Sequence, residues 1–111
     1  MTIEQLMIDS KRISEEHGFI ATEDNFPEKI ALMHSELSEA LEEYRANRGF
    51  VEIYFSGAPE VKPEGIAAEL ADVVIRVCQE CQARGIPLVE AIALKQSYNE
   101  TRPYRHRNKR A

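Results

Sequence analysis

The chain has few residues that break secondary structure and few that staple it. Its 111 positions include five Gly, five Pro and two Cys. Beside 43% hydrophobic and 30% charged residues, so little Gly and Pro argues against wholesale disorder, because a chain of this kind can bury a real core. Two cysteines cannot build a disulfide framework. No stretch approaches the roughly 18 consecutive apolar residues of a membrane span. Glu4, Asp9, Lys11 and Arg12 interrupt the first twelve residues, where a secretory signal needs an unbroken apolar segment. We therefore expect one domain in a reducing, cytoplasmic setting, with no membrane partner. An excess of base is missing too. Fourteen Lys and Arg stand against 19 Asp and Glu, for a net charge of −5, which disfavours a nucleic-acid coat protein. The balance is uneven, since Arg102, Arg105, Arg107, Lys109 and Arg110 cluster at one end and leave a body of net charge −10. An acidic body with a basic tail suggests a cation site and a phosphate-bearing partner in one molecule.

Helical periodicity dominates what is present. Thr2 is a candidate cap for a first helix, with Gln5 completing a capping-box pattern and Ile3, Leu6, Met7 and Ile13 on one face. Gly18 ends it. Asn25-Phe26-Pro27-Glu28 is a strong helix start, and the second helix is expected from Phe26 to about Arg48, with Ile30, Met33, Leu37, Ala40/Leu41 and Tyr44 as its apolar face. In residues 50–62, Val51, Ile53 and Phe55 alternate with Glu52 and Tyr54, but Gly57, Pro59 and Pro63 argue for irregular chain. With no pairing partner in view, this segment is expected to be an inserted loop. A third helix is predicted over Glu64–Arg84, with Ile66, Leu70, Val73/Val74, Val77/Cys78 and Cys81 as its stripe. A fourth starts at Pro87 and stops near Pro103, followed by a polar tail at 104–111. The expected fold is an all-α, four-helix bundle that associates into a homo-oligomer, dimer or tetramer.

Two acidic pairs carry the chemistry: Glu36 with Glu39 in the second helix, and Glu69 with Asp72 in the third. A step of three along a helix turns by about 300°, so each pair shares a face, and neighbouring helices roughly 8–10 Å apart can bring four carboxylates to one point. Glu69 and Asp72 lie in a run with no other charge between Glu64 and Arg76. With no base expected nearby, a divalent cation is the economical counter-charge, and all-oxygen ligation favours Mg²⁺, with Mn²⁺ as a substitute, over Zn²⁺. The bland alternative is that these are ordinary helix-forming glutamates on a solvated face. The pair Cys78 and Cys81 forms a CxxC, read as core packing because it continues the apolar stripe and has neither a second ligand pair nor a strand-to-helix junction.

The pattern Glu36-x-x-Glu39 with Glu69-x-x-Asp72, together with the blocks IALMHSELSEALEEYR, EGIAAELADVVIRV and ALKQSYNETRPYRH, resembles the MazG-like, all-α nucleotide pyrophosphohydrolases. The resemblance covers the second to fourth helices and extends weakly into the first. The 29 residues between Glu39 and Glu69 stand at the long end for that family. The resemblance implies Mg²⁺-dependent hydrolysis of a nucleoside triphosphate, often a deoxynucleotide, to the monophosphate and pyrophosphate. Glu36, Glu39, Glu69 and Asp72 would be the metal ligands and Glu39 the general base. Lys95, Asn99 and Arg102 match the family's K-x-x-x-N-x-x-R pattern for phosphate contacts. The region of His17, Phe19, Asn25 and Phe26 corresponds to the part that contributes to a nucleobase pocket; helix cap and core aromatic are the alternatives for Asn25 and the two phenylalanines. Two rival readings are a non-catalytic helical module for oligomerisation or partner binding, and a hydrolase of some other diphosphate-linked compound.

Overall fold

A computed structural model describes residues 1–103; the polar tail of the sequence reading lies outside them. The elements are α1 (Ile3–Glu16), α2 (Phe26–Arg45), β1 (Tyr54–Ser56), β2 (Lys62–Glu64), α3 (Ile66–Arg84) and α4 (Leu88–Thr101). The all-α class holds, with one small hairpin added.

Local chemistry sets the helix ends. Thr2 Oγ1 accepts from the Gln5 backbone N–H at 3.1 Å, so the first cap is made. Gln5 does not reciprocate; its side-chain amide donates to Asp9 one turn on. Asn25 precedes α2 without capping it. Its side chain instead accepts from the Thr22 N–H at 2.9 Å and donates to the Ile20 carbonyl at 3.0 Å, closing the loop between α1 and α2 on itself. The second helix ends at Arg45 rather than Arg48, and Asn47 at φ +65° turns the chain out. Past Thr101, Arg102 is extended, as a residue before proline prefers.

Residues 50–62 are not a plain loop. Tyr54 pairs with Glu64, Phe55 with Pro63 and Ser56 with Lys62 in an antiparallel ribbon. Pro63 hides the second strand from a sequence reading, yet in a two-stranded ribbon its missing N–H can face outward at no cost. The third helix therefore starts at Ile66, after the strand, and not at Glu64. Gly65 makes the junction: its φ is +117°, and a Cβ there would lie 2.6 Å from the Glu52 carbonyl oxygen. Tyr54 anchors the ribbon to α2 by donating its hydroxyl to both Glu43 oxygens, at 2.9 and 3.0 Å.

Both α1 and α2 pack on α3. The core gathers between α1 and α3 as Met7, Cys78 and Cys81, with Leu6, Val77, Leu88 and Val89 against it. Both cysteines are buried, and burial raises the pKa of each thiol, so the CxxC behaves as packing. The expected four-helix bundle is not formed within one chain. Only the first turn of α4 packs on the core, and every residue from Glu90 to Arg102 is exposed. The expected apolar face of α2 holds in part. Ile30 and Met33 are half-buried and Ala40 is buried, but Leu37, Leu41 and Tyr44 are about half exposed, and Glu36 is buried in their stead. On α3, Leu70 and Val74 are likewise bare. The strand alternation is inverted, with Val51, Ile53 and Phe55 outward.

Arg84 fastens the α1–α2 loop to the end of α3. It donates to buried Glu80 at 2.9 Å, to the Thr22 carbonyl at 2.9 Å and to Asn25 Oδ1 at 2.8 Å, and its guanidinium lies 5.0 Å from the Phe26 ring centre. Truncation of Arg84 to Met strands the Glu80 carboxylate and frees the loop. It should cost about 3 kcal/mol, read as a lower urea midpoint; an unchanged midpoint would show that the tether does not matter.

Candidate functional site

The acidic pairs converge. Contacts between Arg84 and Asn25, Arg76 and Glu36, and Tyr54 of the ribbon and Glu43 run α2 and α3 antiparallel, with their acidic faces at the seam. Glu36 and Glu69 are buried there, and Asp72 is half-buried. Glu36, Glu69 and Asp72 each bring a carboxylate oxygen within 4.8 Å of the others. Glu39 stands outside that triad, more exposed, and lines the cleft in front of it. A second group, Glu43, Glu64 and Glu69, shares Glu69 with the first.

A cleft of about 760 Å³ opens beside the triad. Glu36, Glu39 and Asp72 line one end, with Arg76 and Lys62. The rest of its wall comes from α1 through Ser10, Ile13 and His17, from Phe19 in the loop, and from Leu32, Ile75 and Gln79. Lys29 Nζ stands 5.7 Å from the Phe19 ring centre at the loop end. His17, whose Nδ1 is 2.8 Å from the Ile13 carbonyl oxygen, is therefore at the cleft, and so is Phe19. Phe26 does not line it; its ring packs under Arg84 instead. Lys95, Asn99 and Arg102 do not line it either, because they sit on the exposed part of α4 and at its C-cap. Asn99 donates to Gln96 and Lys95 lies over the Tyr98 ring, both within α4.

The expectation that no base is supplied locally is corrected. Arg76 Nε donates to Glu36 Oε1 at 2.9 Å, and Nη2 lies 2.9 Å from the same oxygen. Arg76 follows Asp72 by four residues, which puts it on the same helix face; that step was legible in the sequence as the charge closing the apolar run. Lys62 was not legible, because it reaches the cleft only through the ribbon. The charges of Glu64 foremost, and more weakly Glu69 and Glu39, raise its pKa.

The seam is short of positive charge all the same, and protons make up part of the difference. Burial first, then hydrogen bonds with Glu39 and Glu36, raise Glu69 from 4.5 to about 7. In its protonated form Glu69 donates to these neighbours, so the seam keeps a proton near neutrality. Burial and the Glu36 charge raise Asp72, while Arg76 and Lys62 oppose the shift.

The donor set suits a hard cation. An octahedral Mg²⁺ with bonds of roughly 2.1 Å sets adjacent ligands about 3.0 Å and opposed ones about 4.2 Å apart, so three carboxylates with oxygens within 4.8 Å of one another would draw together around it by side-chain rotation. Among the described residues no His or Cys joins either acidic group.

The raised Glu69 carboxyl makes the metal-free fold sensitive to pH. Between 4.5 and about 7 the folded protein holds a proton that the unfolded chain has released. The group's contribution is complete below its unfolded pKa and is lost as the pH climbs through the folded one. In chelator, the melting temperature of the wild type should fall between about pH 5 and pH 8 more steeply than that of Glu69→Gln, which stays neutral; parallel curves would remove the buried proton. Comparison of the chain with protein-family models, with curated proteins and with solved structures returns no match.

Proposed function

We propose that the protein is a Mg²⁺-dependent nucleoside triphosphate pyrophosphohydrolase of the MazG-like type, splitting the bond between the α and β phosphates. The observation that supports this reading is the convergence of Glu36, Glu69 and Asp72, from two helices, at the mouth of a cleft large enough for a nucleotide. Partner binding gives no reason for acids in a helix seam, where apolar residues would serve stability better. Glu36, Glu39, Glu69 and Asp72 would hold the metal. Bound Mg²⁺, or Mn²⁺ in its place, would supply charge neutralisation for the phosphoryl oxygens.

The chain's own residues do the rest. Glu39 is the exposed member, outside the triad and open to water, so it is the group to accept a proton from the attacking water. The oxygen–phosphorus bond forms as the bridging α–β bond breaks, and pyrophosphate departs. The apolar floor of Leu32 and Ile75, with Phe19 at the far end, excludes water from the base and sugar.

The reading includes a homo-oligomer, and two observations support it. Leu37, Leu41 and Tyr44 lie one residue past the inward positions Glu36, Ala40 (both buried) and Glu43 (half-buried), and Leu70 and Val74 lie one past Glu69 and Val73. On antiparallel helices that shift turns both stripes to the side away from the cleft. The 14-residue α4 is too short to hold alone in water. On this reading Lys95, Asn99 and Arg102 reach a cleft only in another protomer. The second reading, a non-catalytic helical module, draws on the same bare faces.

Two experiments test the proposal. A panel of NTPs and dNTPs with Mg²⁺ should yield pyrophosphate, and Glu39→Gln should lower kcat by about 10²-fold or more with nucleotide binding kept; full turnover by that variant would remove Glu39 as base. Leu41→Glu with Val74→Glu should convert the oligomer to a monomer by light scattering. A wild type already monomeric at micromolar concentration would end the oligomer reading.

A further inference from the structure

The cleft contains a cation that the proposed reaction has not yet used. Arg76 projects from α3 one turn after Asp72 and spends two of its nitrogens on one oxygen of Glu36. Glu36 Oε2 takes no hydrogen bond from Arg76, and Arg76 Nη1 makes none within the described residues. The side chain is about one-third exposed and lines the cleft, while the Glu36 carboxylate is nearly covered. One end of the guanidinium is thus fixed on a carboxylate and the other faces open space.

Building on the nucleotide reading, we propose that Arg76 is the in-protomer contact for the phosphate chain of the substrate, held in place by Glu36. Glu36 orients the planar fork through Oε1, leaving its Oε2 unused by the guanidinium. The free edge of the guanidinium meets a phosphate oxygen beside the proposed cation. A fork fixed at one end loses little freedom when its other end binds, which is why arginine suits this place better than lysine. The other cations at the cleft are less fixed. Lys62 stands 3.6 Å from Glu64 with two-thirds of its side chain exposed, and Lys29 lies over Phe19 at the far end.

Arg76 also supplies positive charge to the carboxylates of the seam, and this separates a phosphate contact from a merely structural one. Removing a positive charge beside the carboxylates cannot weaken their attraction for a divalent cation. It removes only the hold on the anion. Arg76→Gln should therefore raise the KM for nucleotide, and the Kd for a Mg²⁺-loaded α,β-imido deoxynucleoside triphosphate by calorimetry, about tenfold or more, the usual worth of one charge-assisted hydrogen bond. Its kcat should stay within about threefold, and its Kd for Mg²⁺ alone should be equal or tighter. Arg76→Lys, which restores the charge without the fork, should recover a large part of the lost affinity. Unchanged KM and Kd in Arg76→Gln would overturn the inference and leave the hydrolase reading standing. So would a joint loss of Mg²⁺ and analogue binding that Lys does not relieve, since that marks a collapsed seam. A wild type that releases no pyrophosphate from any nucleotide and does not bind the analogue would instead fail the hydrolase reading, and this inference with it.

Discussion

The seam between α2 and α3 is built from acids where packing alone would place apolar side chains. Glu36, Glu69 and Asp72 approach within 4.8 Å of one another, and two like charges 4 Å apart repel by about 4 kcal/mol at an effective dielectric of 20. Such a seam closes only if much of that repulsion is answered. Arg76 answers Glu36, the Tyr54 hydroxyl answers Glu43, Ser56 and Lys62 answer Glu64, and a retained proton answers Glu69. The hairpin thus has a structural purpose as well as a place beside the cleft. It brings Tyr54, Ser56 and Lys62 over the end of the seam, and its junction at Gly65 sets the start of the helix that carries Glu69.

Acids at the seam displace the apolar core. Among the described residues only Met7, Ala40, Ile66, Cys78 and Cys81 are buried hydrophobics, and the cluster joins α1 to α3 rather than α2 to α3. The α2–α3 pair is left with an acidic inner face and a bare apolar outer stripe. On the proposed reading, covering the stripe and placing a cation in the seam would each add stability, from opposite sides of the same helices.

The sequence made the carboxylate constellation legible because it depends only on helical step. Pairs three apart on two adjacent helices must point one way, whatever the loops do. The helices themselves were legible for the same reason, to within a few residues at their ends. The hairpin was hidden because its strands are three residues long and Pro63 reads as a breaker. The direction of the apolar stripes was hidden for a deeper reason. Leu37, Leu41 and Tyr44 recur with the spacing of a core face, and periodicity cannot say whether the surface that covers them belongs to the same chain. Within one chain α4 joins no bundle: its Ile92, Leu94 and Tyr98 are exposed. Phe26 was hidden differently, since an aromatic at a helix start can face the cleft or Arg84, and only the path of α3 decides.

The contrast between Arg76 and the α4 residues bears on how a phosphate chain could be gripped. Only the first turn of α4 packs on the core, through Leu88 and Val89. A single protomer presents Arg76 to the cleft, whereas Lys95 and Arg102 are exposed and do not line it. Within one chain, the cation fixed nearest the carboxylates is also the one whose orientation those carboxylates set, because Arg76 rests on Glu36. An anion bound there would meet a guanidinium whose plane is set by Glu36, while the remaining carboxylate oxygens of the seam take no hydrogen bond from that guanidinium.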